Sequence, residues 1–165
     1  MPIITVATVS TGDAALLTLG AVDALTAAGQ RVLRTGRHPL AVWLAGRGLA
    51  FDTLDALYNE SEDFDAFNRA AAQRLVTLAQ GGDVLYAVPD AGMDSTVAAL
   101  RESVPDNVTL AFLPGVSHAD RCLALVDSPA TGVRLYAAEA FRTARVTPGE
   151  ALLLCELHSR ECAGE

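Results

Sequence analysis

The sequence predicts a three-layer α/β domain with a mainly parallel five-stranded sheet. Short apolar runs rich in β-branched residues alternate along the chain with longer segments whose apolar residues recur at helical spacing. Glycine and proline separate the two kinds of segment, as at Gly29, Pro39 and Gly81-Gly82. Strands that alternate with helices are joined by right-handed crossovers, so this pattern favours a parallel sheet.

The first strand is predicted at Ile3–Val9, an apolar run suited to a strand that is covered on both faces. Asp13 is expected to cap the helix that follows by accepting its free amide hydrogens. That helix, ended by Gly29, carries apolar residues at helical spacing: Leu17, Ala21, Leu25 and Ala28.

The second strand is predicted at Arg31–Arg34. Pro39 suits the first turn of a second helix, where the N–H that proline lacks has no partner to lose. This helix is expected to end near Gly46–Gly48, and a short third strand is expected at Leu49–Phe51.

Asp63–Gln80 is the most clearly patterned helix, and Gly81-Gly82 ends it. Its apolar stripe consists of Phe64, Phe67, Ala71, Leu75 and Leu78. Two further strands, Val84–Val88 and Val108–Leu113, are predicted on either side of a helix at Thr96–Val104.

Beyond the fifth strand the pattern predicts a helix at His118–Val126 and a linker at Asp127–Gly132. Possible strands follow at Val133–Tyr136 and Ala151–Leu157.

Composition limits the classes of function. At 165 residues, of which 51% are hydrophobic and 19% charged, the chain is expected to be globular. A net charge of −8 and an isoelectric point of about 4.7 argue against nucleic acids and anionic membranes as partners. No apolar run approaches membrane-spanning length, and Cys122, Cys155 and Cys162 form no C-x-x-C pair. A cytoplasmic protein without a disulfide framework or zinc site is therefore expected.

All 12 basic residues are arginines. Three of them, Arg31, Arg34 and Arg37, lie close together in the sequence and could form a local anion site in an otherwise acidic protein. The alternative is that they are solvated surface side chains.

Five segments in a fixed order carry a family resemblance. They are Leu33–Pro39, Phe51–Asp55, Ser61–Phe64, Ala87–Pro89 and Leu113–Ser117. Together they resemble the tetrapyrrole (corrin/porphyrin) methylase family, and in particular the branch that is fused to MazG-type nucleoside triphosphate pyrophosphohydrolases.

This resemblance implies an architecture and a set of partners. Residues 1–126 would form the Rossmann-like amino-terminal domain, and 127–165 would be a linker and the first strand of a truncated second domain. In the family, S-adenosylmethionine (SAM) binds in the cleft between two such domains. The resemblance also implies a homodimer, a small-molecule acceptor of unknown identity and a possible MazG-type partner.

The loops that hold the cofactor in this family are only partly kept. The family pattern G-x-G-P-G-D corresponds to Thr8–Asp13, which retains only Gly12 and Asp13. In the loop after the fourth strand, Asp90 replaces a glycine that lets the backbone approach the cofactor. The loop Pro114–Ser117 is intact.

By resemblance, two groups of residues would line the site. The expected cofactor-binding residues are Pro89, Asp90, Ala91, Gly92, Ser117 and His118. The expected substrate-binding residues are Thr8, Ser10, Gly12, Asp13 and Arg37. No catalytic residue is assigned, because methyl transfer depends mainly on the alignment of donor and acceptor.

Structural interpretations compete with these roles. Asp13 could be a helix cap alone, Pro114-Gly115 could simply shape a turn, and His118 could be an ordinary surface histidine. His158 and Cys162 lack further ligands, so no metal site is expected.

Two hypotheses of function follow. The first is a SAM-dependent methyltransferase-like domain whose catalytic competence is uncertain. The second is a degenerate, non-catalytic module that binds a nucleotide-like ligand or a partner and regulates a MazG-type pyrophosphohydrolase. The chain has no G-x-G-x-x-G after its first strand and no lysine, which argues against dinucleotide and P-loop sites.

Overall fold

The computed structural model describes residues 1–11, 13–126, 132–141 and 143–155. The chain divides into two compact units, Met1–His118 and Ala119–Glu165. Each unit is described by itself.

The first unit is built on one five-stranded sheet. Its strands are β1 (Ile3–Thr8), β2 (Gln30–Leu33), β3 (Asp52–Thr53), β4 (Val84–Val88) and β5 (Thr109–Leu113). Their spatial order is β3-β2-β4-β1-β5, and every neighbouring pair is parallel. All residues of β4 are buried, as expected of a strand covered on both faces. The predicted α/β class with a parallel five-stranded sheet is confirmed.

Helices cover both faces of the sheet and make a Rossmann-like, three-layer unit. They are α1 (Leu19–Ala27), α2 (Pro39–Ala45), α3 (Asp55–Glu60), α4 (Phe64–Ala79) and α5 (Ser95–Ser103). One core cluster contains residues of α1 and α2, and the other contains residues of α4 and α5. Alternation along β1 places Val6 in the second cluster and Ala7 in the first.

The crossovers create a candidate ligand edge. The chain leaves β1 and β2 towards the face covered by α1 and α2, and it leaves β4 towards the face covered by α5. Neighbouring strands whose connections diverge in this way leave a crevice outside their carboxyl ends. Register brings Thr8 beside Val88 and Ala7 beside Leu113, so the loops after β1, β4 and β5 start close together.

The predicted start of the first helix is wrong. Asp13 caps a 3-10 turn at Ala14–Leu16, where its side chain accepts the Ala15 N–H at 2.8 Å. Leu17 then returns to extended backbone, and α1 has its own cap in Thr18, whose hydroxyl accepts the Ala21 N–H. A second capping residue therefore divides what the apolar spacing alone presents as one helix.

The third strand, expected around Leu49–Phe51, is present but begins directly after these residues, because its pairing with β2 starts at Asp52. Helix α3 was not predicted from the sequence. Phe64, expected within the buried stripe of α4, is 42% exposed, whereas Phe67 is 2% exposed. Phe64 is the first residue of α4, beyond the part of that helix that packs into the core.

The other predicted elements of this unit are confirmed to within one or two residues at their ends. Side-chain caps set two of the helix starts: Asp63 accepts the Ala66 N–H before α4, and Asp94 accepts the Val97 N–H before α5.

The second unit contains a small parallel sheet. Strands β6 (Val133–Ala137) and β7 (Ala151–Cys155) pair with Val133 beside Ala151, and α7 (Ala138–Phe141) lies between them in the sequence. Helix α6 (His118–Leu125) begins at the last residue of the first unit. The predicted linker residues 127–131 and strand residues 156–157 lie outside the described residues. The division of the chain at residue 126 stays a prediction.

Within the residues that the structure describes, no helix has the length and apolar content needed to cross a membrane.

Burial of α4 against the sheet should contribute strongly to stability. Leu75 is fully buried in α4, whereas Leu19 is 84% exposed at the start of α1. Leu75→Ala is expected to lower the free energy of unfolding by about 2–5 kcal/mol, because the lost contacts leave a cavity. The matched control Leu19→Ala should change it by less than about 0.5 kcal/mol. Urea unfolding measures both, and equal effects would contradict this packing.

Candidate functional site

The predicted cofactor loops lie together at the carboxyl edge of the sheet, where all five strands end. We call the described segments 9–11, 89–94 and 114–117, which follow β1, β4 and β5, the edge loops. Pro89, Asp90, Ala91 and Gly92 are in the second of these, and Ser117 is in the third, directly before His118. Gly12 lies outside the described residues.

The Asp90 carboxylate joins two edge loops. One oxygen accepts the Gly92 N–H at 2.9 Å, which closes a short turn within its own loop. The other oxygen accepts the His118 N–H at 3.0 Å, at the start of α6. At the position where the sequence resemblance predicts a glycine, the aspartate side chain therefore holds two backbone amides.

Thr8, the last residue of β1, contacts the loops that follow β4 and β5. Its hydroxyl accepts the Ala91 N–H at 3.1 Å, and the Val9 N–H donates to the Val88 carbonyl at 2.8 Å. Gly115 packs directly on Thr8, because a Cβ at Gly115 would lie 2.1 Å from the Thr8 carbonyl oxygen. Close backbone packing is thus sufficient to explain why a glycine occupies this position.

Ser10 has a backbone conformation that glycine adopts more readily than other residues. Its φ angle is 61°, in the left-handed region that costs a residue with a Cβ roughly 1–2 kcal/mol. His38 supports this conformation: its Nδ1 accepts the Leu40 N–H, so its Nε2 carries the proton and donates to the Ser10 carbonyl at 2.9 Å. Ser10 itself is fully buried.

The edge loops are therefore tied together by their own side chains. Amides of Ala91, Gly92 and His118 that a bound cofactor could use are already satisfied within the protein. The Asp13 carboxylate is also partly engaged within the protein, because one of its oxygens caps the 3-10 turn that follows.

An open pocket lies beside these loops, after the carboxyl ends of β2 and β3. We call it the aromatic pocket; its volume is about 300 Å³. Its lining residues come from β2 to the start of α4: Arg34, Thr35, Arg37, Asp55, Tyr58, Asn59, Phe64 and Phe67. Of the predicted substrate-binding residues that the structure describes (Thr8, Ser10, Asp13 and Arg37), only Arg37 lines it. The segments Leu33–Pro39, Phe51–Asp55 and Ser61–Phe64, which carried the family resemblance, all contribute residues to it.

A buried polar network holds Arg34, which lines the aromatic pocket. An Arg34 guanidinium nitrogen donates to the Asp94 carboxylate at 2.8 Å and to the Thr96 hydroxyl at 2.9 Å. Thr96 in turn donates to the Asn68 side-chain oxygen. Burial raises the pKa of Asp94 despite the Arg34 charge, and burial together with Asp94 raises the pKa of the Tyr86 hydroxyl.

The three arginines that are close in sequence do not form one cluster. Arg31 is buried and donates to the backbone carbonyls of Leu25, Thr26 and Ala50, which fixes α1 against β2. Arg34 is paired with Asp94, and only Arg37 is exposed at the pocket. Of the two alternatives that the sequence left open, a joint anion site is not formed, because alternation along β2 turns Arg31 and Arg34 to opposite faces, and Arg31 is not a solvated surface side chain either.

Asp55 holds the loop between β2 and α2 at the pocket. Its carboxylate accepts the Gly36 N–H at 2.8 Å. Hydrogen bonds from Thr35, Gly36 and Thr53, together with the charge of Arg37, lower the pKa of Asp55 below its ordinary value of 3.8, against a smaller effect of burial. The carboxylate is therefore ionised at neutral pH.

Within the described part of the chain, no group of three histidine, cysteine or acidic side chains is placed to hold a metal ion. Tyr58, Asn59 and Phe67 were not identified from the sequence as site residues. In the sequence, these residues are marked only by lying close to the segments that carry the family resemblance.

Comparison with known proteins gives one informative relative. The uncharacterized protein YabN of Bacillus subtilis (strain 168) is 28% identical to this chain over 166 residues. The match covers 98% of this chain and 34% of YabN, so the chain spans about a third of the length of this relative. No family model matches the chain.

The lowered pKa of Asp55 predicts a pH dependence of the loop it holds. A lowered folded-state pKa means that the stabilisation is present above the ordinary value of 3.8 and is lost as the pH falls through the folded value. Hydrogen exchange at the Gly36 amide should therefore lose protection as the pH falls below about 3.8, after correction for intrinsic exchange.

Asp55→Asn should remove most of this pH dependence and lower the protection at neutral pH. Asp106→Asn, which alters an exposed carboxylate before β5, is the matched control. A Gly36 amide that behaves identically in the two variants would contradict the assigned bond.

The close approach of Gly115 to Thr8 predicts that Gly115→Ala is destabilising. The added Cβ meets backbone, which cannot rotate away, so a loss of about 1–3 kcal/mol in the free energy of unfolding is expected. Gly29→Ala is the matched control, because a Cβ there has no heavy atom within 4 Å. Chemical denaturation compares the two variants, and indistinguishable stabilities would refute the contact.

Proposed function

We propose that this chain is a non-catalytic, ligand-binding domain with a tetrapyrrole methylase-like fold. The observation that carries the proposal is the double role of Asp90, whose carboxylate occupies the Gly92 and His118 amides at the position where the family has a glycine. Thr8 adds a third such bond, to Ala91. These side chains take up the groups that the SAM-binding loops of the family leave for the cofactor.

A ligand that binds the Gly92 and His118 amides has to compete with the Asp90 carboxylate. A ligand that displaced both bonds of Asp90 would lose roughly 2–4 kcal/mol of interaction, which corresponds to roughly 30- to 1,000-fold in affinity. Activity is lost first where a site changes at its closest backbone contacts, while the fold is kept. Gly115, the retained glycine of the third loop, adds no support for SAM because its packing on Thr8 explains it.

A regulatory association with a MazG-type pyrophosphohydrolase is part of the proposal. It rests on the resemblance of the sequence segments to the fused branch of the family. The pyrophosphohydrolase activity itself is not assigned to this chain, because the expected acidic helix motif, E-x-x-E followed by E-x-x-D, is absent from its sequence. A homodimer and a cytoplasmic location are proposed on the same resemblance and on the composition; sedimentation equilibrium tests the dimer.

Calorimetric titration with SAM and with S-adenosylhomocysteine tests the proposal. The unmodified protein should give no binding heat with either compound. Saturable heat at micromolar concentrations would overturn the proposal in favour of the SAM-dependent methyltransferase hypothesis.

Asp90→Gly tests the physical explanation. Removing the carboxylate frees two amides, so this variant should gain measurable affinity for S-adenosylhomocysteine if Asp90 is the main block. Asp106→Gly removes the same charge from an exposed loop before β5 and should gain none. Equal behaviour of the two variants would show that Asp90 is not what prevents binding.

A further inference from the structure

We infer that the aromatic pocket binds a ligand that joins a planar ring and hydroxyl groups to a phosphate, that is, a nucleoside monophosphate. This inference deepens the proposed function, on which it rests only in taking the domain to bind a small ligand. The pocket lies after β2 and β3, apart from the edge loops that would hold SAM.

One wall of the pocket offers open aromatic surface. Tyr58 packs edge-to-face on Phe64, with ring centroids 5.7 Å apart, and on Phe67, with centroids 5.6 Å apart. Phe67 is buried under the Arg34 guanidinium, but Tyr58 and Phe64 remain 52% and 42% exposed. Rings that are locked by their neighbours yet open on one side suit a flat, apolar ligand face, because little freedom remains to be lost on binding.

The lining of the same pocket includes one exposed positive charge. Arg34 is committed to Asp94 at 2.8 Å. Arg37 is exposed at the pocket, and its side chain makes no ion pair within the described part of the chain. A guanidinium in this position can form a two-pronged hydrogen bond to a phosphate.

Asp55 narrows the ligand class further. Its ionised carboxylate lines the same pocket as Arg37, so a compact anion without donor groups meets repulsion as well as attraction. Thr35, Gly36 and Thr53 donate to this carboxylate, which has about four lone-pair positions, so it can accept one hydroxyl group of a sugar. A molecule that carries a ring, hydroxyl groups and a phosphate can contact the aromatic rings, Asp55 and Arg37 at the same time.

The size of the pocket agrees with this class. A volume of about 300 Å³ is at the lower end of the range for small-molecule sites and is sufficient for a mononucleotide.

Titration calorimetry of the full chain with adenosine, guanosine, cytidine and uridine monophosphates tests the inference, with amide chemical shifts locating the site. At least one nucleotide should bind, with shifts centred on residues 34–37 and 55–67. Adenosine, ribose 5-phosphate and inorganic phosphate each lack one or two of the three recognised parts and should bind at least about tenfold more weakly. Inorganic phosphate binding as tightly as the nucleotides would overturn the inference in favour of a plain anion site.

Two variants and a matched control test which pocket residues contact the phosphate and the ring of the nucleotide. Arg37→Glu and Tyr58→Ala should each weaken nucleotide binding by about tenfold or more, because one loses the phosphate contact and the other the ring contact. Arg69→Glu makes the same charge change at an exposed position of α4 outside the pocket lining and should leave affinity within about twofold. Circular dichroism checks that all three variants fold.

The outcomes separate this inference from the proposed function. Absence of binding by all four nucleotides, or equal losses in Arg37→Glu and Arg69→Glu, would overturn the nucleotide site and leave the lack of SAM binding unaffected. SAM binding by the unmodified protein would overturn the proposed function, and shift mapping would show whether the aromatic pocket still binds a nucleotide.

Discussion

The central position of β1, paired in parallel with β4 on one side and β5 on the other, is the constraint on which the rest of the structure depends. Both neighbours of this strand pair with it in one register. A slip of one residue would turn the Val6 and Ala7 side chains to the opposite faces of the sheet. That register fixes Thr8 beside Val88 and close to Gly115. Every contact among the edge loops follows from this placement.

The carboxyl edge consequently contains two regions of opposite character. Over β1, β4 and β5, the Thr8 and Asp90 side chains accept hydrogen bonds from backbone amides and hold the edge loops together. Over β2 and β3, the aromatic pocket exposes the rings of Tyr58 and Phe64 and the guanidinium of Arg37.

Sequence patterns predicted the long, buried elements well and the short ones poorly. Strand β4 and helix α4 are long enough for their burial pattern to determine both type and position. Strand β3 has two residues, and its position depends on pairing with β2 across the sheet. No local pattern contains that information. The break before α1 was missed because a second cap, Thr18, competes with an uninterrupted apolar spacing.

By itself the sequence determined the fold class, the strand order along the chain and the loops that meet at one edge, because alternating apolar runs and glycine-rich turns act locally. Only the tertiary structure decided what those loops do. The amides that Asp90 holds are 2 and 28 residues away, and Arg34 reaches Asp94 across 60 residues. Arg37, Tyr58 and Phe64 line one pocket only because crossovers on both sides of β2 return the chain to the same edge. Distances across a sheet depend on pairing between strands, and single-residue preferences do not encode them.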